Sequence, residues 1–348
     1  MKNIQNIIIL ISIINASGAN VFCMDRYIPA LNKHIDLPQG VNNVTIGSFC
    51  DRVAYTSPDK VHIDSFSKIF SAKTFNEKAS LISFDNDSSY LALVTNSGYD
   101  VKIVDVVRGT KETFPQNMKA GQYTALRCIN GKECLVGTGD YAGCASLWHL
   151  KTKKYPKLLV CFTSSRSNVT VCDESNNLYA GGCVNIINTH MFFGSIKDIE
   201  KNYYDSTPNS LKDVCFSRDG SLVAFALDHA VLVYVTSILG KWKKVLRENN
   251  NCYSGIAEKE LEGYKRAQIR YSDDNVVQKV VFHDNNQHIF AGCANGKVYC
   301  SEIKTDGQSQ EIISSDESIV SLACRDNKLA VANLKRVCLY LFSKNTLI

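Results

Sequence analysis

The stretch FSRDGSLVAFALDHAVLVYV, residues 216–235, holds the end of one apolar run and the whole of two more. Ser217-Arg218-Asp219-Gly220 is a tight reverse-turn signal between the first and second runs. Asp228 closes the second run, and Val231-Leu232-Val233-Tyr234 begins the third. The alternation has the period of strands rather than the 3.6 period of helices. Such a unit cannot bury its apolar faces alone. The decisive question is whether the chain repeats it.

It does. Taking the last apolar residue of the first strand as a marker, copies fall at Phe49, Phe84, Cys128, Cys172, Phe216, Phe282 and Cys324. A spacing of 44 residues separates Phe84 from Cys128, Cys128 from Cys172 and Cys172 from Phe216, against 66 between Phe216 and Phe282. Polar turns follow the markers, among them DNDSS, DESNN, HDNNQ and RDNK. Each second strand then carries a small residue near its centre: Ala54, Ala92, Val136 beside Gly137, Ala180, Ala224, Ala291 and Ala330. Tightly packed sheets leave room there for Ala where Leu would clash.

Polar spacers between copies leave space for a fourth strand. Candidates are residues 69–75, 109–114, 156–162, 201–205, 241–246 (KWKKVL) and 311–314. The seventh copy ends at Phe342, too close to the C-terminus to supply its own outer strand. RYIPALNKHIDL, residues 26–37, is the segment free to do so, and pairing it with the last sheet removes an exposed edge. The long spacing before Phe282 is an insertion at 247–270, in which Ile256 to Ile269 has helix-forming composition.

The pattern resembles the WD40 family, most clearly in LKDVCFSRDGSLVAFALDHAVLVYV at 211–235. Asp228 stands where that family keeps its loop Asp, and Tyr234 where it keeps Trp. Trp148 holds the Trp position of the third copy, but His149 follows it in place of Asp, and no Gly-His dipeptide precedes any copy. The resemblance implies an all-β fold: a seven-bladed β-propeller of four-stranded antiparallel blades, closed by the N-terminal strand. It covers residues 26–342 as architecture, with degenerate motifs.

The composition agrees with one large all-β domain over residues 20–348. The chain has 348 residues, 45% of them hydrophobic and 21% charged, with a net charge of only +5. Chains that neutralise nucleic-acid phosphate carry more, concentrated on one face, so a nucleic-acid partner is not expected. Residues 1–19 read as a signal peptide: Lys2, an apolar run from Ile7 to Ile14, and a small-residue exit at Ala16-Ser17-Gly18-Ala19. The run is too short to span a bilayer. Export, secreted or periplasmic, is the expectation; a retained start would place the chain in the cytoplasm. The fourteen cysteines include no CxxC pair and mostly sit in apolar runs, which points to free, buried thiols.

Motifs that carry chemistry are scarce in the chain. No HExxH, finger-like Cys/His spacing, phosphate loop or GxSxG elbow occurs, so no catalytic residues, metal or cofactor are expected. His283 and His288 flank the polar turn DNNQ and read as solvated. Asp213 is the one acid placed inside a first strand. Candidate binding residues lie in two groups. Asp140, Tyr141, Asp228, His229 and Asn295 occupy loops between second and third strands, which the WD40 resemblance gathers on one face, though Asp and Asn there also serve the turns. Lys241, Trp242, Lys243, Lys244 and Arg247, with Lys265, Arg266 and Arg270, form a basic group around the insertion. That group suits an anionic partner or membrane surface, or simply charged outer strands that blunt edge pairing.

Seven degenerate copies without a catalytic set read as a non-enzymatic, monomeric platform for another protein or peptide. Two alternatives stay open: an exported hydrolase with loop-borne catalytic groups, and an anionic-surface binder through residues 241–270.

Overall fold

In the computed structural model the quoted stretch forms three antiparallel strands joined by short turns, and six other segments do the same. The structure describes residues 27–344 except 38–39, 42, 47–51, 67–70, 86, 96–99, 114–122, 139–143, 150–156, 162–167, 176–177, 185–188, 197–201, 208–209, 238–264, 273 and 304–308. The expected signal peptide therefore lies outside the described residues.

β1 (Tyr27–Asp36) comes first in the chain. The first sheet is β2 (Val44–Ile46), β3 (Arg52–Thr56), β4 (Val61–Ser65) and β5 (Lys73–Phe75); the second is β6 (Ala79–Phe84), β7 (Tyr90–Thr95), β8 (Asp100–Asp105) and β9 (Lys111–Thr113). The third is β10 (Tyr123–Asn130), β11 (Glu133–Thr138), β12 (Cys144–His149) and β13 (Lys157–Cys161); the fourth is β14 (Asn168–Ser175), β15 (Leu178–Val184), β16 (Thr189–Ser195) and β17 (Asn202–Thr207). The fifth is β18 (Leu211–Phe216), β19 (Leu222–Leu227), β20 (Ala230–Val235) and β21 (Lys265–Arg270); the sixth is β22 (Val277–Phe282), β23 (His288–Cys293), β24 (Lys297–Glu302) and β25 (Ser309–Ser314). The seventh orders β26 (Ile319–Arg325), β27 (Lys328–Asn333) and β28 (Arg336–Lys344) with β1 at its edge, Tyr27 opposite Lys344 and Asp36 opposite Arg336. All pairings are antiparallel, and no α-helix occurs among the described residues.

Six first strands share one irregularity. The register slips near the start of β6, β10, β14, β18, β22 and β26, for example between Leu211 and Asp213 and between Val277 and Lys279. A bulge at that point bends the strand and strengthens its twist. First strands also touch in sequence: β2 meets β6, β6 meets β10, and so on through β14, β18, β22 and β26, with β26 in turn against β2.

The cores lie between sheets rather than within one. One cluster joins Phe193 and Met191 to Phe225 and Tyr234; another joins Ala224 and Ala267 to Val280 and Ala291. The last and first sheets share Leu339, Val337, Val44 and Val53. All seven small or β-branched centres, Ala54 through Ala330, are fully buried. Gly292 marks how close the sheets approach, since a Cβ there would stand 2.6 Å from Ile319 Cγ2 and 2.9 Å from Leu322 Cδ1.

Four expectations are corrected. The outer strand of the fifth sheet is β21, not KWKKVL, which lies outside the described residues; the insertion precedes that strand. Residues 265–269, assigned to a helix by composition, alternate with period two, burying Ala267 and Ile269 while Arg266 and Arg270 face outward. The strand period won because only that alternation places two apolar side chains in the core shared with Val233 and Val280. His283 and His288 are buried, at 4% and 8% exposure. Their turn folds back so that the first residue after the strand points between sheets, where His283 packs edge-on to Phe290 and Phe342. Finally, Asp173 and Glu174 belong to β14 and not to a turn, so Asp213 is not the one acid in a first strand.

Candidate functional site

First strands of six sheets, β2, β6, β10, β18, β22 and β26, line one cavity of about 270 Å3. Polar side chains in these strands take backbone N–H groups from the next strand round. Ser83 Oγ accepts Cys128 N–H at 3.1 Å, Asp213 Oδ2 accepts Val280 N–H at 3.0 Å, and Ser321 Oγ accepts Val44 N–H at 3.2 Å. Asp213 also lies 3.5 Å from Lys279 Nζ. These groups hold neighbouring sheets in register at the cavity wall; Asp213 and Ser321 lie near the start of their strands, and Ser83 lies next to the end of β6.

The opposite end, where the first strands finish, carries most of the charge. Arg127 comes from β10, Arg218 from the turn after β18, and Arg325 from the last position of β26. Arg218 Nη1 reaches Asp326 Oδ1 at 2.8 Å and Asp284 Oδ1 at 3.8 Å, while Asp284 Oδ2 accepts the Asp326 N–H. Asp85 Oδ1 accepts the N–H groups of Ser89 and Tyr90 at 2.9 and 3.0 Å. Burial holds the Asp85 carboxyl above the usual carboxylate range. Burial, then the nearby Arg218, holds the Arg325 guanidinium below its ordinary value.

The loop residues chosen from sequence do turn work. Asp228 Oδ2 accepts Ser210 N–H at 3.0 Å, Oδ1 lies 3.1 Å from Lys212 Nζ, and its carbonyl accepts Val277 N–H. Asn295 Oδ1 accepts Lys297 N–H at 3.2 Å, and its amide donates to Asn275 Oδ1. The carbonyl of Val276 accepts Ala294 N–H, so the segment 275–277 is held between the two turns and brings Asp228 and Asn295 to either side of itself. The His229 carbonyl accepts Tyr271 N–H, and its buried Nδ1 has no partner among the described residues. Asp140 and Tyr141 lie outside the described residues, as do Lys241, Trp242, Lys243, Lys244 and Arg247. Lys265, Arg266 and Arg270 are on β21, the edge strand, with Lys265 Nζ donating to Gln268.

One Ser–His contact was not foreseen. His62 Nε2 is 3.2 Å from Ser57 Oγ, and its Nδ1 is 3.3 Å from Thr74 Oγ1. The ring stacks on Tyr55 at 5.0 Å. Burial, then Lys60, lowers the His62 pKa. Nδ1 faces a hydroxyl where a nucleophilic triad places a carboxylate, and Ser57 Oγ already donates to the Lys60 carbonyl. The nearby Asp64 pairs with Lys33 at 2.7 Å. This contact shapes the β3–β4 turn.

Sequence reading missed the arginine end of the cavity. One signal was available: the turns after the fifth and seventh first strands both contain Arg-Asp, at Arg218-Asp219 and Arg325-Asp326. No protein-family model matches the chain, and no curated protein matches it.

Proposed function

We propose that the seven sheets form a closed seven-bladed β-propeller of the WD40 type that serves, without catalysis, as an exported platform for another protein or peptide. Closure is supported by the succession of first-strand contacts, with β26 against β2, and by the Ser321–Val44 hydrogen bond across residues 277 apart in sequence. The single observation that carries the platform reading is the hydrogen-bonded set of turns at 228–230, 275–277 and 294–296. Loops held this way lose little freedom on binding, which is the energetic advantage of a preformed recognition surface.

Zero-length carbodiimide cross-linking tests closure. It should join Lys33 of β1 to Asp64 of β4, and Lys279 to Asp213. The second product without the first would count against a closed ring. For function, cross-linking mass spectrometry in the native source should map partner contacts to the turns at 228–230 and 294–296. Contacts scattered over outer strands would sink the platform reading. An intact mass lacking residues 1–19 supports export, and a full-length mass opposes it.

A further inference from the structure

Arg325 is the anomaly of the cavity. No hydrogen bond to its guanidinium occurs among the described residues, and its buried Nε has no partner. Buried donors are almost always satisfied, so a half-buried guanidinium with an unbonded Nε costs the fold stability. Two further guanidinium groups, Arg127 and Arg218, line the same cavity end and raise the positive potential around it.

Asp284 and Asp326 attract Arg325 through space but make no hydrogen bond to it among the described residues, and each neighbouring carboxylate has other work. Asp85 accepts two backbone N–H groups of its own turn, Asp326 takes Arg218, and Asp284 takes Arg218 and the Asp326 N–H.

Nor does the turn need Arg325. At the same position in other sheets the side chain caps its own turn: Asp85 as above, Ser217 Oγ accepting Leu222 N–H at 2.9 Å, and His283 Nδ1 accepting Asn285 N–H at 3.2 Å. After β26 the turn is a two-residue one, Asp326-Asn327, both at positive φ (46° and 60°), with Arg325 paired to Lys328. That hairpin closes through its backbone alone. An arginine, which accepts no hydrogen bond, stands where capping is unnecessary.

We propose that this end of the cavity binds a small ligand through an oxyanion group, a phosphoryl or a carboxylate, with Arg325 its principal contact and Arg127 and Arg218 beside it. The guanidinium fork matches either head group in two parallel hydrogen bonds. The cavity of about 270 Å3 stands near the low end of small-molecule sites, so the ligand is a small metabolite. Four residues back along β26, on the order of 13 Å at strand rise, the Asp213–Lys279 pair at the level of Ser321 offers a partner for a polar tail. The proposal stands whether or not the ring also serves as a platform.

The test is calorimetric titration of the full chain with inorganic phosphate and, separately, citrate, at constant ionic strength in chloride. Saturable heat with one of them is expected and names the head group. Arg325→Gln should weaken that binding about tenfold or more, the value of a lost charge-assisted contact, while Lys132→Gln on the exposed turn should not. In the absence of anion, Arg325→Gln should also melt higher than the natural chain, which a guanidinium with a structural role would not do. Should Arg325→Gln fail to fold, Arg325→Lys keeps the charge without the fork and should bind several-fold more weakly. No saturation with either anion, or equal affinity in the Arg325 variant, overturns the proposal.

Discussion

Gly296→Ala is the substitution whose cost follows most directly from the packing. Gly296 sits at φ +83 in the β23–β24 turn. A Cβ there would stand 2.0 Å from the Ser315 carbonyl oxygen and 2.7 Å from that of Glu317. Neither oxygen belongs to a side chain that can swing away. The 315–317 turn is held by Ser315 N–H to the Gly296 carbonyl at 3.0 Å, by Asn333 Nδ2 to Ser315 Oγ at 3.0 Å, and by the Lys335–Glu317 ion pair. Left-handed backbone costs a non-glycine residue about 1–2 kcal/mol. Displacing a packed turn adds about 1–3 kcal/mol, so the total is about 2–5 kcal/mol. With an unfolding entropy of about 2.1 cal/mol/K per residue, that lowers the melting temperature of a chain this size by about 3–7 °C. Gly109→Ala is the matched control. Gly109 also has positive φ, +73, but nothing lies within 4 Å of its added Cβ, so only the backbone term remains. Thermal unfolding followed by circular dichroism compares the two. A Gly296→Ala loss no larger than that of Gly109→Ala would refute the clash.

Arg52, 7% exposed, donates from Nη1 to the carbonyl of Ser88 at 2.8 Å and so ties the first sheet to the turn of the second. Arg52→Met should cost about 1–3 kcal/mol in urea unfolding, because it removes a charge-assisted hydrogen bond to a buried carbonyl; a neutral result would show that the tie contributes nothing. His62 is held below its ordinary value of 6.5, by burial first and then by Lys60. The folded state therefore prefers the neutral ring, and the stability it contributes above pH 6.5 is lost as pH falls through the folded-state value. His62→Phe, which keeps an aromatic ring beside Tyr55, should flatten stability against pH in that window, and an unchanged slope would remove His62 from the account. Burial pushes the Cys293 and Cys300 thiols up to about 12. Iodoacetamide at pH 8 should leave both unlabelled until the chain unfolds, whereas labelling at the rate of a free peptide thiol would show that the core admits solvent.

Sequence carried the architecture because second strands are buried on both faces and third strands such as VHIDS alternate. The second strands LVAFAL and HIFAGC have nearly every residue buried, and no other element tolerates such runs between turn residues. Outer strands gave a weaker signal, since one face meets solvent. KWKKVL and KRAQIR are both charged and short, and only the packing of Ala267 and Ile269 selects the second. A Glu- and Lys-rich approach to β21 gave residues 256–269 helical composition, but composition does not show which side chains reach a core. The candidate site was legible only where it is local. Asn295 shows turn chemistry in its own neighbour Lys297, whereas the Asp228 carboxylate reaches back to Ser210 and Lys212. Arg127, Arg218 and Arg325 come together only through the stacking of distant sheets, and no window of sequence contains them.

The use of β1 as the edge of the last sheet follows from the same arithmetic of partners. β28 is nine residues long, Arg336–Lys344, and without β1 its outward N–H and C=O groups would form a sheet edge open to any other chain. An outer strand drawn from beyond Phe342 would cover that edge but would leave the last sheet attached to the first only through side-chain packing. An outer strand drawn from the N-terminal side covers the edge and continues directly into β2, so the polypeptide itself crosses the seam. The contacts show the seam is built this way: Leu37 N–H donates to the Lys335 carbonyl at 2.7 Å, Val41 N–H to the Leu334 carbonyl at 3.1 Å, and Asn32 Nδ2 to the Phe66 carbonyl at 2.8 Å. Separating the last sheet from the first therefore requires stripping β1 from β28 as well as opening the core of Val44, Val53, Val337 and Leu339. The two events are coupled through one covalent segment, which is why the last sheet and the first should unfold together.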